Sequence, residues 1–127
     1  MSARYRPVEP PRAYRCGVAD GVVMHDVGRV ALDADEQVTF TTAGGGEYDL
    51  ARKAWGFYAT PSLNGRLPRF GLRAVLVRNT RRQWFVLLVE RGQEEAFGAY
   101  LASERLEVVT WLDTTEDLER LERGLAP

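Results

Sequence analysis

The stretch Leu72-Arg73-Ala74-Val75-Leu76-Val77-Arg78-Asn79-Thr80-Arg81-Arg82-Gln83-Trp84-Phe85-Val86-Leu87-Leu88-Val89-Glu90 decides the fold class of this chain. Two runs rich in β-branched and aromatic residues flank the polar tetrapeptide 79–82, which reads as an antiparallel hairpin with strands over 72–78 and 83–90. The second run is apolar almost without interruption from Trp84 to Val89, and that pattern predicts a strand covered on both faces.

Downstream, residues 93–103 supply one such cover. Ala96, Phe97, Tyr100 and Leu101 form a helical stripe, and Glu94 and Glu95 sit in the first turn, where the helix dipole favours negative charge. Residues 106–112 return as a strand, so the order strand, strand, helix, strand makes an α+β unit. Thr114, with Asp117 three residues on, resembles a capping box. Leu118, Leu121 and Leu125 then give a short amphipathic C-terminal helix ending near Gly124.

Upstream, residues 55–71 pack three glycines, two prolines, two arginines and several aromatics into one segment. It is too broken for a helix and too aromatic for a solvated linker. An ordered functional loop is the reading. Before it, alternation predicts strands over 21–32, 37–42 and 47–53, with Asp33-Ala34-Asp35-Glu36 and Ala43-Gly44-Gly45-Gly46 as turns. The first two strands read as a hairpin and all three as a meander. Val22, Met24, Val30 and Leu32 share one face of the first, and Tyr48 and Leu50 are expected inward on the third. Gly28 marks a bulge or bend. Residues 1–12, with three prolines and no periodicity, read as a flexible arm ahead of a single domain over 13–127. The expected fold is a mostly antiparallel α+β sheet or roll of six to seven strands, with one packed helix and a short C-terminal helix.

Composition narrows the function classes. An apolar fraction of 45% and a charged fraction of 28% are those of a soluble globular protein. No apolar run approaches the roughly 18 residues of a membrane span. The N-terminus lacks a secretory apolar core, so a cytoplasmic location is expected, with no membrane partner. Cys16 is the only cysteine, which excludes an internal disulfide and a cysteine-based metal cage. With one histidine as well, no metal and no cofactor are expected. Net charge is −1, but from Arg66 to Arg91 seven arginines face one glutamate, and beyond Gly92 nine acids face three arginines. The basic stretch Arg73, Arg78, Arg81, Arg82 and Arg91 reads as a solvated hairpin tip, and no nucleic-acid partner is expected.

Within the loop, Ser62, Asn64, Arg66 and Arg69 offer hydroxyl, amide and guanidinium groups beside Gly65, which lets a ligand approach the backbone closely. Trp55 could stack on a ring, and Lys53 and Tyr58 stand nearby in sequence. This set suits a small anionic, sugar-like ligand. The competing reading is a structural crossover whose aromatics fill core. His25 is the only side chain whose ordinary pKa lies near neutrality, and His25 or Tyr58 is the candidate catalytic acid/base, beside the reading of His25 as a partly buried, hydrogen-bonded structural residue. Its neighbour Asp26 points to the opposite strand face and cannot orient it. Gly44-Gly45-Gly46 lacks the Gly-Lys-Ser/Thr of a phosphate loop and reads as a turn.

The segments His25-Asp26-Val27-Gly28, Glu47-Tyr48-Asp49-Leu50, Lys53, Trp55 through Leu67, and Val109-Thr110-Trp111-Leu112-Asp113 resemble a group of small bacterial proteins of unassigned activity. These are encoded among genes for cell-surface polysaccharide and modified-sugar biosynthesis. The resemblance implies a cytoplasmic helper near nucleotide sugars and carries no catalytic residues. Three functions therefore stand open. One is a binding or accessory protein that takes an anionic sugar-like or nucleotide-sugar ligand, or a partner biosynthetic enzyme, through 55–70. Another is a small metal-independent isomerase or lyase acting on an activated or acidic sugar. The last is a homodimer in which the loop is interface.

Overall fold

The computed structural model describes residues 4–127. Eight strands form three antiparallel sheets, with three short α-helices, so the chain is α+β. The strands are β1 (Arg4–Cys16), β2 (Val22–Ala31), β3 (Gln37–Thr41), β4 (Glu47–Lys53), β5 (Gly56–Ala59), β6 (Leu72–Arg78), β7 (Trp84–Glu90) and β8 (Glu107–Trp111). The helices are α1 (Arg66–Arg69), α2 (Glu94–Ser103) and α3 (Thr115–Leu125). Sheet orders are β1-β2, β3-β4-β5 and β7-β6-β8. The described chain divides into two compact units. One runs through Val38 and takes in Leu50–Ala59, and the other comprises Thr39–Asp49 and Thr60–Pro127.

The second unit holds the larger core, built on the central strand β6. The hairpin pairs from Leu72 with Glu90 to Arg78 with Trp84 without a shift. One β6 face contributes Val75 and Val77, which with Val89 meet Phe97 and Leu101 of α2 and also Leu106 and Trp111. The other contributes Leu72 and Ala74, packed with Leu67, Tyr48, Leu88 and Leu112. Thr114 caps α3 by accepting the Asp117 N–H at 3.1 Å. Thr114→Ala is expected to cost about 1 kcal/mol, the usual worth of such a cap, read as a lower urea midpoint with an unchanged m-value.

The first unit departs from the sequence expectation. β2 pairs with β1, not with β3, so the meander over 21–53 is replaced by a separate ribbon and a β3-β4-β5 sheet. Of the arm expected over 1–12, residues 1–3 lie outside the described residues, and 4–12 are strand. Pro7 lies in the ladder opposite Gly28, and the register shifts between Pro7 and Arg12. Pro10 and Pro11 therefore fall in the bulge, where no ladder N–H is required. Gly28 is where the Tyr5 ring lies across the ribbon; a Cβ there would collide with it, and Tyr5 donates its hydroxyl to the Val27 carbonyl at 3.1 Å. On β4 the buried residues are Asp49 and Ala51, while Tyr48 and Leu50 are half-buried. Tyr48 packs against the core on the side the alternation expects, and Asp49 is buried as well because polar partners satisfy its carboxylate.

The segment 55–71 is more regular than expected. Its first part is β5, whose Ala59 pairs with Leu50 and whose Gly56 pairs with Lys53, and its end is the single turn α1.

Candidate functional site

Asp49 organises the second unit's loop. Its carboxylate, buried and only 7% exposed, accepts from the Thr39 hydroxyl at 2.6 Å and from Arg66 Nη1. Arg66 Nη2 donates to Thr60 Oγ1 at 2.8 Å, and the Thr60 N–H donates to the Asp49 carbonyl at 3.3 Å. The Thr39 hydroxyl first, then the Arg66 guanidinium, hold the Asp49 carboxyl below the usual carboxylate range against the opposing effect of burial. Ser62 Oγ accepts the Arg66 N–H at 3.0 Å and starts the α1 turn. Asn64 donates to Thr115 Oγ1 at 3.1 Å, at the start of α3. The geometry thus unites Ser62 and Arg66 with Asp49, Thr39 and Thr60 in one network that fixes the loop. The Arg66 guanidinium is engaged inside it.

That network delivers Arg69 and Phe70 to the rim of a cleft of about 260 Å³. Three segments line it: the turn Gly44–Gly46, the end of α1 at Arg69–Gly71, and Glu90–Arg91 at the end of β7. The turn glycines differ in what surrounds them: a Cβ on Gly45 would meet open space, although its φ of +95° suits glycine. A Cβ on Gly44 would collide with the Glu90 carboxylate, and one on Gly46 would press on Leu72 at 3.3 Å. Gly71, at φ +89°, lies beside Gly46 in a conformation that suits glycine. The turn closes with Gly45 N–H to the Thr42 carbonyl at 3.1 Å and Gly46 N–H to Thr42 Oγ1 at 2.9 Å. Arg91 Nη2 donates to the Pro68 carbonyl at 2.7 Å, which ties the third wall to the second. The Arg69 side chain makes no hydrogen bond or ion pair among the described residues. The cleft offers two guanidinium groups, one carboxylate, a phenyl ring and a glycine floor. Such a set can bind a small anion that also carries hydroxyl groups.

The remaining candidates belong to the first unit. Lys53 is ion-paired with Asp35 at 2.5 Å. Trp55, in the turn between β4 and β5, is largely exposed. Tyr58 is exposed on β5 opposite Ala51. His25 is exposed on β2 opposite Ala13, with no hydrogen bond or ion pair among the described residues. Asp26 accepts an ion pair from Arg12 at 3.6 Å, in keeping with its position on the other strand face. No described carboxylate orients His25. Among the described residues no three His, Cys, Asp or Glu side chains gather as a metal-ligand set. No described helix is long and apolar enough to cross a membrane.

Sequence reading did not place Glu90, Arg91 or the Gly44–Gly46 turn beside Arg69. The available signal was the triple glycine itself, which marks a close approach whether or not it binds phosphate. The chain matches no family model, no curated protein and no solved structure.

Proposed function

We propose that the protein binds a monosaccharide-sized anion, such as an acidic sugar or a sugar phosphate, in the cleft between Gly44–Gly46, Arg69–Gly71 and Glu90–Arg91. The observation that carries this reading is the convergence of two arginines and one glutamate beside the Gly44–Gly46 turn. Arg69 and the free donors of Arg91 clamp the anionic group, Glu90 accepts hydroxyl protons, and the Phe70 ring faces the apolar side of the sugar. The volume of about 260 Å³ lies below the roughly 300–1,000 Å³ of drug-sized sites, so one sugar ring suits it better than a complete nucleotide sugar. The resemblance to proteins encoded among polysaccharide genes supports a sugar as the scaffold and a cytoplasmic accessory role.

The test is a thermal-shift screen with glucuronate, galacturonate, hexose phosphates and nucleotide sugars. A ligand that binds only the folded state at a hundredfold excess over its Kd stabilises it by about 2.7 kcal/mol. An acidic monosaccharide is expected to raise Tm. Arg69→Ala should abolish most of that shift while leaving the unliganded Tm unchanged, because the Arg69 side chain holds nothing else. Removing one charge-assisted contact costs about 1.5–3 kcal/mol, or at least about tenfold in affinity. No shift from any acidic sugar, or a shift retained in an Arg69→Ala/Arg91→Ala double variant, would remove the reading.

A further inference from the structure

β7 carries more apolar surface than its own chain covers. Val89 is buried and Leu87 and Leu88 are half-buried, but Trp84, Phe85 and Val86 are 48%, 46% and 59% exposed. The strand is also an edge, hydrogen-bonded only to β6. The devices that usually blunt an edge are a bulge, a proline or a charge, and residues 84–89 have none of them. The opposite edge of the same sheet, β8, is interrupted by a register shift opposite Leu76 and Val77.

The backbone shows which groups are free. The Asn79 N–H donates to the Gln83 carbonyl at 3.0 Å and the Arg91 N–H to the Gly71 carbonyl at 2.8 Å, at the two ends of the hairpin ladder. Odd-numbered residues of β7 therefore turn their N–H and C=O toward β6. By alternation, Trp84, Val86 and Leu88 present theirs outward. Beside this edge, on the face covered by α2, lies an apolar groove of about 390 Å³ whose walls include Leu87, Val89, Phe97 and Tyr100.

We infer that β7 pairs with β7 of a second copy, antiparallel across a two-fold axis at Val86, to form a continuous six-stranded sheet. In this register Val86 meets Val86 of the second copy, Trp84 meets Leu88, and Phe85 meets Leu87. Residues facing each other across a ladder share a face, so Phe85 of each copy enters the groove beside Leu87 and α2 of the other. The charges agree. Arg82, whose guanidinium lies 5.2 Å from the Trp84 ring and so on that face, stands opposite Glu90 of the second copy, and the contact is repeated by symmetry. Residues 84–88 carry no charge, and the like-charged pair that this register does produce, Arg81 opposite Arg91 of the second copy, falls beyond the strand at the exposed end of the seam. An isologous contact requires this self-complementarity. The pairing also brings a second-copy arginine to Glu90, one wall of the anion cleft.

Sedimentation equilibrium without any ligand tests the inference apart from the ligand reading. The wild-type chain at about 100 µM is expected to sediment as a dimer, as any Kd below that range requires. Val86→Lys, which sets two ammonium groups against each other at the axis, should give a folded monomer. Arg82→Glu should weaken association at least about tenfold, and adding Glu90→Arg should restore it, since like charges in place of an ion pair act oppositely in the two variants. Because Arg82 sits in an exposed turn, this pair decides the matter even if Val86→Lys fails to fold. A monomeric wild type at that concentration overturns the inference. So does a dimer whose affinity is indifferent to Arg82→Glu and to the restoring change.

Discussion

Leu67→Ala is expected to destabilise the second unit by about 3 kcal/mol, within the range for emptying a fully buried leucine site. Leu67 is 1% exposed and is among the largest fully buried side chains. It is the only buried residue of α1, so the four-residue helix is held to β6 by this one side chain, packed with Leu72 and Ala74. So short a helix has no stability of its own. The cavity therefore also loosens Arg69 and Phe70 at the rim of the cleft. Chemical denaturation should show the lower midpoint, and Tm should fall by about 10 °C for a chain of this length. Any ligand affinity should fall too, though residue 67 touches no ligand. A loss below about 1 kcal/mol would mean that α1 is anchored by something other than this contact.

Asp49→Ala is expected to cost about 2–3 kcal/mol, because it leaves the Arg66 guanidinium and the Thr39 hydroxyl without their buried acceptor. The pH dependence gives a sharper signature. The folded-state pKa of Asp49 is lowered relative to the unfolded chain. Its contribution is then complete above the ordinary aspartate value of about 3.9, and it is lost as pH falls below that value through the lowered one. The stability gap between wild type and Asp49→Asn should be constant from neutral pH to about pH 5 and should close below about pH 4. Urea midpoints measured across that range check it. A gap that widened on acidification would reverse the sign and refute the role given to Thr39 and Arg66.

How far the sequence could be read depended on whether the deciding contacts were local. The β6-β7 hairpin, α2, β8 and the Thr114 cap follow from alternation, helical spacing and one three-residue motif, and each is present where those patterns put it. β1 was hidden because Pro7, Pro10 and Pro11 argue against a strand. Its pairing with β2 leaves Pro10 and Pro11 in a bulge, and that pairing leaves no local trace. The burial of Asp49 on β4 has a similar cause: an aspartate reads as outward until Thr39 and Arg66 arrive from either side of it in sequence. For the site, Arg69 was legible as part of an arginine-bearing loop, and Arg66 looked equally suited to a ligand. What separates them is that Arg66 is engaged with Asp49 while Arg69 is not. Glu90, Arg91 and the glycine turn meet Arg69 only through packing of three distant segments, which spacing cannot express.

The same non-local logic explains the apolar run Trp84–Val89. Its pattern calls for cover on both faces, yet the chain supplies that cover only toward Val89. A second copy paired along β7, as inferred above, would supply the rest.

The measurement closest to the central claim is a backbone amide NMR titration with glucuronate and a hexose phosphate, on the wild type and on Arg69→Ala. Shifts are expected to centre on Gly44, Gly45, Gly46, Phe70, Gly71 and Arg91 in the wild type and to be lost in the variant. Shifts centred on Lys53, Trp55 and Tyr58 instead, or a spectrum unmoved at millimolar ligand, would contradict it.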